Sequence, residues 1–151
     1  MEVLAWDDSF KIQIPLIDER NQRFMEIAMK LEELNAVKRK KEEDFDNIGE
    51  ALADIMEFAR MHFNEEEKIL VGKQYPELNQ HKREHKKFIK KIMAFRRLFS
   101  EDPGKVADEA LKYVKLWLPW HIKELDARYA PFIRVQNYLA ECQAMGRRGR
   151  S

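Results

Sequence analysis

Apolar positions recur at offsets of three and four along four stretches of the chain. Ile17, Asn21, Phe24, Ala28 and Leu31 make the first series. Ile48, Leu52, Ile55, Ala59, His62, Glu66 and Ile69 make the second, and Leu78, His81, His85, Phe88, Ile92, Phe95 and Phe99 the third. Val106, Ala110, Val114, Trp117 and His121 make the fourth. Each series draws one stripe down one face of a helix. No stretch alternates with a period of two, and no segment repeats. Gly72 suits the left-handed residue after the second helix, and Pro76 suits the opening of the third. Asp102-Pro103 has the form of an N-cap followed by proline at the first helical position. The first link, from Val37 to Asp44, is mostly charge and is compatible with a tight turn. Short links make neighbouring helices antiparallel. The expected fold is all-α, an antiparallel up-down four-helix bundle over residues 1–138, with a short, partly disordered C-terminal extension at 139–151.

Composition narrows the function. The 151 residues hold 28 Lys+Arg and 27 Asp+Glu, a net charge of +1, with 44% hydrophobic residues. So even a balance argues against binding nucleic acid or an acidic membrane, which needs a concentrated positive field. Lys38-Arg39-Lys40-Lys41 and Arg96-Arg97 read as solvated helix faces, and the basic tail from Met145 to Ser151 as a frayed terminus. No apolar run approaches the roughly 20 residues of a membrane span. The N-terminus is acidic and unlike a signal peptide. One cysteine, Cys142, excludes an intrachain disulfide, and a cytoplasmic location is the expectation.

The candidate chemistry lies on the stripes. The chain has four histidines, His62, His81, His85 and His121, and all four fall on predicted core faces. Buried imidazoles need partners for both ring nitrogens. His62 and Glu66 are four residues apart on one helix, and His81 and His85 repeat that spacing on the next. His121 and Asp126 are five apart. On a regular helix this leaves them about 140° out of line, so both can reach one site only if the backbone is irregular between them. Pro119, just upstream, makes such irregularity plausible. Four imidazoles and two carboxylates suit iron, zinc, copper or nickel, and the absence of cysteine disfavours structural zinc. Six ligands exceed one tetrahedral ion. A pair of ions bridged by Glu66 and Asp126 fits the set better, with iron favoured by ligand type.

From Trp6 to about Tyr138 the sequence resembles the hemerythrin family, specifically its bacterial single-domain members. The resemblance rests on Trp6, Ile17-Asp18-Glu19, His62-Phe63-Asn64-Glu65-Glu66, Tyr75-Pro76, His81-x-x-x-His85-x-x-Phe88, Trp117-Leu118-Pro119-Trp120-His121-Ile122 and Asp126-x-x-Tyr129. It implies two non-haem irons bridged by Glu66, Asp126 and an oxo or hydroxo group. His81, His85 and His121 would hold one iron, and His62 plus a first-helix histidine the other. It implies O₂ binding at the iron with fewer histidines, for carriage, supply or sensing rather than turnover, behind a wall of apolar side chains. Leu118 and Ile122 bracket His121 and are candidates for that wall, although core packing explains them equally well. Trp117, Trp120, Phe63, Phe88 and Tyr129 are expected to be core first and lining second. Met25, Met29, Met56, Met61 and Met93 are expected to fill gaps.

One departure stands out. The family's first-helix histidine falls on Asn21 in this chain, and no other histidine replaces it. Three outcomes are open. Asn21 or water completes an altered two-iron site, a nearby carboxylate (Glu65 or Glu19) substitutes, or the second ion is lost and a mononuclear site remains. A more open iron favours a competing peroxidase- or oxidase-like activity. Iron storage or metal sensing is a third class, and a packed core leaves storage little room. An inert inherited cluster would bury Glu66 and Asp126 without metal, at a high desolvation cost. Oligomeric state is not legible in the sequence.

Overall fold

The computed structural model describes residues 3–148. Its elements are α1 (Pro15–Asn35), α2 (Glu42–Gly72), α3 (Leu78–Leu98) and α4 (Pro103–Trp120), then a π-helical turn (His121–Asp126) and α5 (Ala127–Arg148). A 3-10 turn at Asp8–Phe10 precedes them. Successive helices pack side by side as the four-helix bundle the stripes predict. The buried face of each helix is the one marked in the sequence: Ile17, Asn21, Phe24, Ala28 and Leu31 on α1, and Val106, Ala110, Val114 and Trp117 on α4.

Local chemistry sets most boundaries. Asp102 accepts a hydrogen bond from the Lys105 N–H at 3.3 Å, with Pro103 at the first helical position. Pro15 opens α1 in the same way, because a first-turn residue needs no N–H partner. The Asp44 carboxylate accepts the Lys41 N–H at 2.8 Å and fixes the start of α2. The link before it is a true loop, in which Arg39 takes φ 55°.

Two expected boundaries are displaced. Gly72 stays helical as the last residue of α2, and Gln74, not Gly72, takes the left-handed conformation at φ 56°. Pro76 lies in a turn before α3, closed by the Leu78 N–H on the Tyr75 carbonyl at 3.3 Å. Proline at the second position of such a turn is favoured by its fixed φ.

Two apolar clusters fill the interior. The larger runs the length of the bundle and includes Phe24, Leu52, Ile55, Phe88, Ile92, Val114, Leu118 and Ile122. The smaller joins Ile12, Ile17, Leu70 and Tyr75 to Tyr129, Ala130 and Ile133 of α5, and closes the bundle beyond the histidines. α5 continues past this cluster to Arg148, where its outer turns are exposed. Gly149 to Ser151, the end of the basic tail, lie outside the described residues. Trp120 is 42% exposed rather than part of the core, and among the described methionines only Met25 and Met56 are buried. Met61 and Met93 are about half exposed, because their positions fall off the apolar stripes.

Among the described residues, no helix is long and apolar enough to cross a membrane.

Candidate metal centre

Four helical segments deliver seven buried polar side chains to one level of the bundle. Asn21 comes from α1, His62 and Glu66 from α2, and His81 and His85 from α3. His121 and Asp126 sit at the two ends of the π-helical turn. All seven are at most 3% exposed. The four-residue spacings work as expected: His62 Nε2 lies 3.3 Å from Glu66 Oε2 on one face of α2.

The five-residue spacing is resolved by the π-turn. There the Ala127 N–H bonds to the Ile122 carbonyl, five residues back. The wider turn restores to one face two residues that a regular helix would separate. His121 Nε2 and Asp126 Oδ1 are 3.1 Å apart.

Every histidine turns its Nε2 inward. His81 Nε2 contacts Glu66 Oε1 closely and lies 3.2 Å from Asp126 Oδ1. His85 Nε2 is 3.4 Å from Glu66 Oε1 and 3.2 Å from His121 Nε2. Two donor groups emerge, sharing Glu66. One is Glu66, His81, His85 and His121, and the other is His62, Glu66 and Asp126. Within each group the donor atoms lie within 4.8 Å of one another.

This set fits a bound metal cation. Glu66 Oε2 and Asp126 Oδ1 are buried yet make no hydrogen bond of acceptable geometry, although imidazole nitrogens approach them. Two buried carboxylate oxygens without a proton donor are costly unless a positive charge meets them, which a cation held by these donor groups would supply. The donors are nitrogen and carboxylate oxygen, the chemistry of iron-type ions.

Asn21 faces the centre, as its place on the first stripe predicts. Its Oδ1 is 3.1 Å from His62 Nε2, and its Nδ2 donates to Asp126 Oδ2 at 3.2 Å. The substitute carboxylates do not arrive. Glu65 pairs with Lys68 at 3.4 Å, and Glu19 is exposed. Both occupy helix positions rotated away from the stripe.

One residue escaped the sequence reading. Glu67 Oε2 accepts a hydrogen bond from His85 Nδ1 at 2.7 Å. It lies five residues beyond His62, off the stripe of its own helix, and reaches His85 across the α2–α3 interface. The run Glu65-Glu66-Glu67 offered no signal for which flanking carboxylate would turn inward.

Aromatic rings pack against each imidazole. Phe63 stacks on His85 with ring centres 3.9 Å apart, and Trp117 stacks on His121 at 4.3 Å. Phe24 meets His62 edge-on at 6.0 Å, and Tyr129 meets His81 edge-on at 5.4 Å. Phe63, Trp117 and Tyr129 are therefore both core and lining. Leu118 and Ile122 are buried one turn before and one residue after His121, within the main cluster.

The electrostatics show how the cluster bears its buried charge when no cation is bound. Burial works to raise the Glu66 pKa, but the imidazoles of His62, His81 and His85 crowded against its carboxylate outweigh it and hold Glu66 well below the usual carboxylate range. Burial and the charge of Glu66 likewise press Asp126 upward, and His121 and His81 reverse them, so it too is lowered. Burial opposes protonation of His81, yet Asp126 and Glu66 raise its pKa to about 10. His85 is raised against its burial by Glu66 and Glu67. His121 is lowered, because burial prevails over Asp126. Tyr129 is pushed far upward by burial and by both carboxylates, so its hydroxyl keeps its proton.

Residues 13–133 match the sequence profile of the Hemerythrin HHE cation binding domain. The chain belongs to the hemerythrin family. It is 36% identical to a bacteriohemerythrin of Clostridium acetobutylicum over 84% of this chain and 98% of that protein. It is 28% identical to a bacteriohemerythrin of Stenotrophomonas maltophilia, over 100% of this chain and 96% of the other. A crystal structure of wild-type hemerythrin superposes with a TM-score of 0.76 at 23% identity, covering 87% of this chain and 98% of that one. This likeness bears out the hemerythrin bundle as the fold. The resemblance carried by the sequence motifs is thereby established at the level of family.

Proposed function

We propose that this hemerythrin binds O₂ at a non-haem iron centre, and that Asn21 makes the centre asymmetric. The observation that carries the reading is the pair of donor groups sharing Glu66, one with three imidazoles and the other with one. His81, His85 and His121 would hold one iron with Glu66, and His62 with Glu66 and Asp126 would hold the other. Bound there, iron would supply reversible one-electron chemistry and open coordination positions for a small oxidant.

The chain's own residues supply the rest. Glu66 and Asp126 balance the cations' charge inside a medium that penalises it. The stacked rings of Phe63 and Trp117 hold two imidazoles in place. Leu118 and Ile122 exclude bulk water from the side of His121. The Tyr129 hydroxyl stays protonated beside two carboxylates. Asn21 offers a neutral amide oxygen, a weaker donor than imidazole, and ties its amide N–H to Asp126. The second ion is therefore held by fewer strong donors. Carriage, supply or sensing of O₂ is the role that follows, in a cytoplasmic setting consistent with the single thiol, Cys142.

A second reading is favoured by Asn21 itself. An iron short of one imidazole is more exposed to irreversible oxidation, which would make the protein redox-reactive or effectively mononuclear.

Elemental analysis of protein grown in iron-rich medium, with visible spectra taken anaerobically reduced and then in air, tests both. Two irons per chain with a reversible oxygenated band support the O₂-binding reading. One iron, or two that oxidise irreversibly, moves the assignment to the second.

A further inference from the structure

The overall charge of +1 conceals a sharp segregation. Of the 21 residues of α3, eight are Lys or Arg and one, Glu84, is acidic, so the rest of the chain is net negative. Arg83, Lys86, Lys87, Lys90 and Arg97 fall on one side of the helix, over about 20 Å of its length. All five are exposed. Lys87 pairs with Glu84, while the other four make no ion pair among the described residues.

The stripe borders a groove of about 380 Å³ between α2 and α3. Arg60, Lys86 and Lys90 stand at its edge, and Phe63, Ile89 and His85 form its floor. Glu67 lies in the wall, where 26% of its side chain is exposed while it holds His85 Nδ1. The groove therefore reaches an imidazole of the candidate centre directly. A second cleft, beside His81, has no room for a water molecule.

We propose that this groove and the basic stripe beside it form a docking surface for an acidic one-electron carrier protein. An apolar floor within a cationic rim is the anatomy of a protein interface. Clustered charge of one sign steers an oppositely charged partner to the surface and sets its orientation. A nucleic acid would gain little from the apolar floor, and one helix in a nearly neutral chain is a small footprint for it.

The need for a carrier follows from burial. Donors at most 3% exposed admit no bulky reductant, so a site oxidised by O₂ is restored only through the protein. In each encounter one electron leaves the carrier's reduced centre, which is oxidised by one, and one ferric ion becomes ferrous. No bond is made or broken. This electron step rests on the iron reading above, whereas docking does not.

The test uses an acidic flavodoxin as probe. Calorimetry measures its binding to the iron-loaded protein between low and high salt, and stopped-flow follows reduction of the air-oxidised protein by the flavodoxin hydroquinone. Iron per chain is measured on the same samples. The expected result is binding that weakens with salt and falls at least tenfold in R83E/K86E/K90E. The same charge change in the α1–α2 link, K38E/K40E/K41E, should cost less than threefold. Equal losses in the two variants, no binding, or tighter binding of a DNA duplex or of phosphatidylglycerol vesicles would overturn the docking surface. Binding to a fully iron-loaded protein without reduction would overturn the carrier role. Low iron content would instead indict the iron reading.

Discussion

Glu67 holds His85 across the α2–α3 interface, Oε2 to Nδ1 at 2.7 Å. The contact fixes which nitrogen of His85 carries a proton and leaves Nε2 directed into the cluster. It also raises the basicity of that nitrogen. Truncating such a partner of a ligating histidine weakens metal binding by about 10–100-fold. Glu67→Ala should lower iron affinity within that range, and Glu67→Gln, which keeps an acceptor oxygen, should lower it less. Competition with a coloured chelator measures both. Equal affinities in all three proteins would reduce Glu67 to a surface carboxylate.

Restoring the family's donor at position 21 is a gain-of-function prediction. Asn21 Oδ1 already lies 3.1 Å from His62 Nε2, so an imidazole placed there enters the donor group that has only one. Asn21→His should raise iron toward two per chain and slow air oxidation of the reduced protein. It should also remove the Asn21–Asp126 hydrogen bond, worth about 1 kcal/mol, so the metal-free variant should melt slightly lower. A variant whose iron count and oxidation rate match the parent would show that Asn21 is no weak point.

The pKa pattern predicts proton release on metal uptake. His81, raised to about 10, is protonated at pH 7 in the metal-free protein, and a ligating imidazole must be neutral. Loading at pH 7 should release at least one proton per chain, read as the dependence of calorimetric heat on buffer ionisation enthalpy. The sign for stability follows. His81 is raised from 6.5 on folding, so its contribution is fully present below about 6.5 and is lost as pH climbs through about 10. His121 is lowered and acts oppositely, costing stability as pH drops below about 6.5. Between pH 7 and 10 the His81 loss governs, and the metal-free protein should lose Tm over that range. The iron-loaded protein should not show this loss, because its imidazoles have already surrendered the proton.

Leu118 and Ile122 give a test that separates lining from packing. Both are at most 1% exposed, and shortening a buried leucine costs about 2–5 kcal/mol. Leu118→Ala should therefore lower stability by that order. A role in excluding water predicts, in addition, faster air oxidation with iron content unchanged. A drop in Tm with an unchanged oxidation rate would leave Leu118 as core alone.

Much of this was legible because burial and chemistry share one period. His62, Glu66, His81 and His85 occupy stripe positions, and a polar residue on such a stripe must find partners inside. Asn21 was legible for the same reason. Glu67 was not, because it lies off the stripe and its reach to α3 depends on interhelical distance, which no single-helix pattern encodes. Gly72 misled because φ is set by the whole turn, and Gln74 bears the positive value there. The balance of 28 basic and 27 acidic residues hid the charge on α3, because a sum carries no information about where its members lie.

The π-turn is where sequence and geometry meet most sharply. His121 and Asp126 face one site only because the backbone between them takes one residue more than an α-turn. Glu124 lies within this segment with its side chain exposed. Deleting it would let the helix run through as a regular α-helix. Asp126 would then stand four residues from His121 and stay within reach, provided the rest of α5 could follow. It cannot follow freely: Tyr129, Ala130 and Ile133 are locked against Ile12, Ile17 and Leu70, and the deletion demands a rotation of about 100° from one partner or the other. The expected result is a competition. If the α5 contacts hold, His121 or Asp126 is pulled from the centre and iron falls below the parent's count with little change in Tm. If the centre holds, iron is kept and Tm drops, because three buried side chains lose their seats. Iron per chain and Tm of the deletion variant, measured together, tell which anchor is stronger. A variant that keeps both would mean the π-turn is dispensable and the link between His121 and Asp126 is elastic.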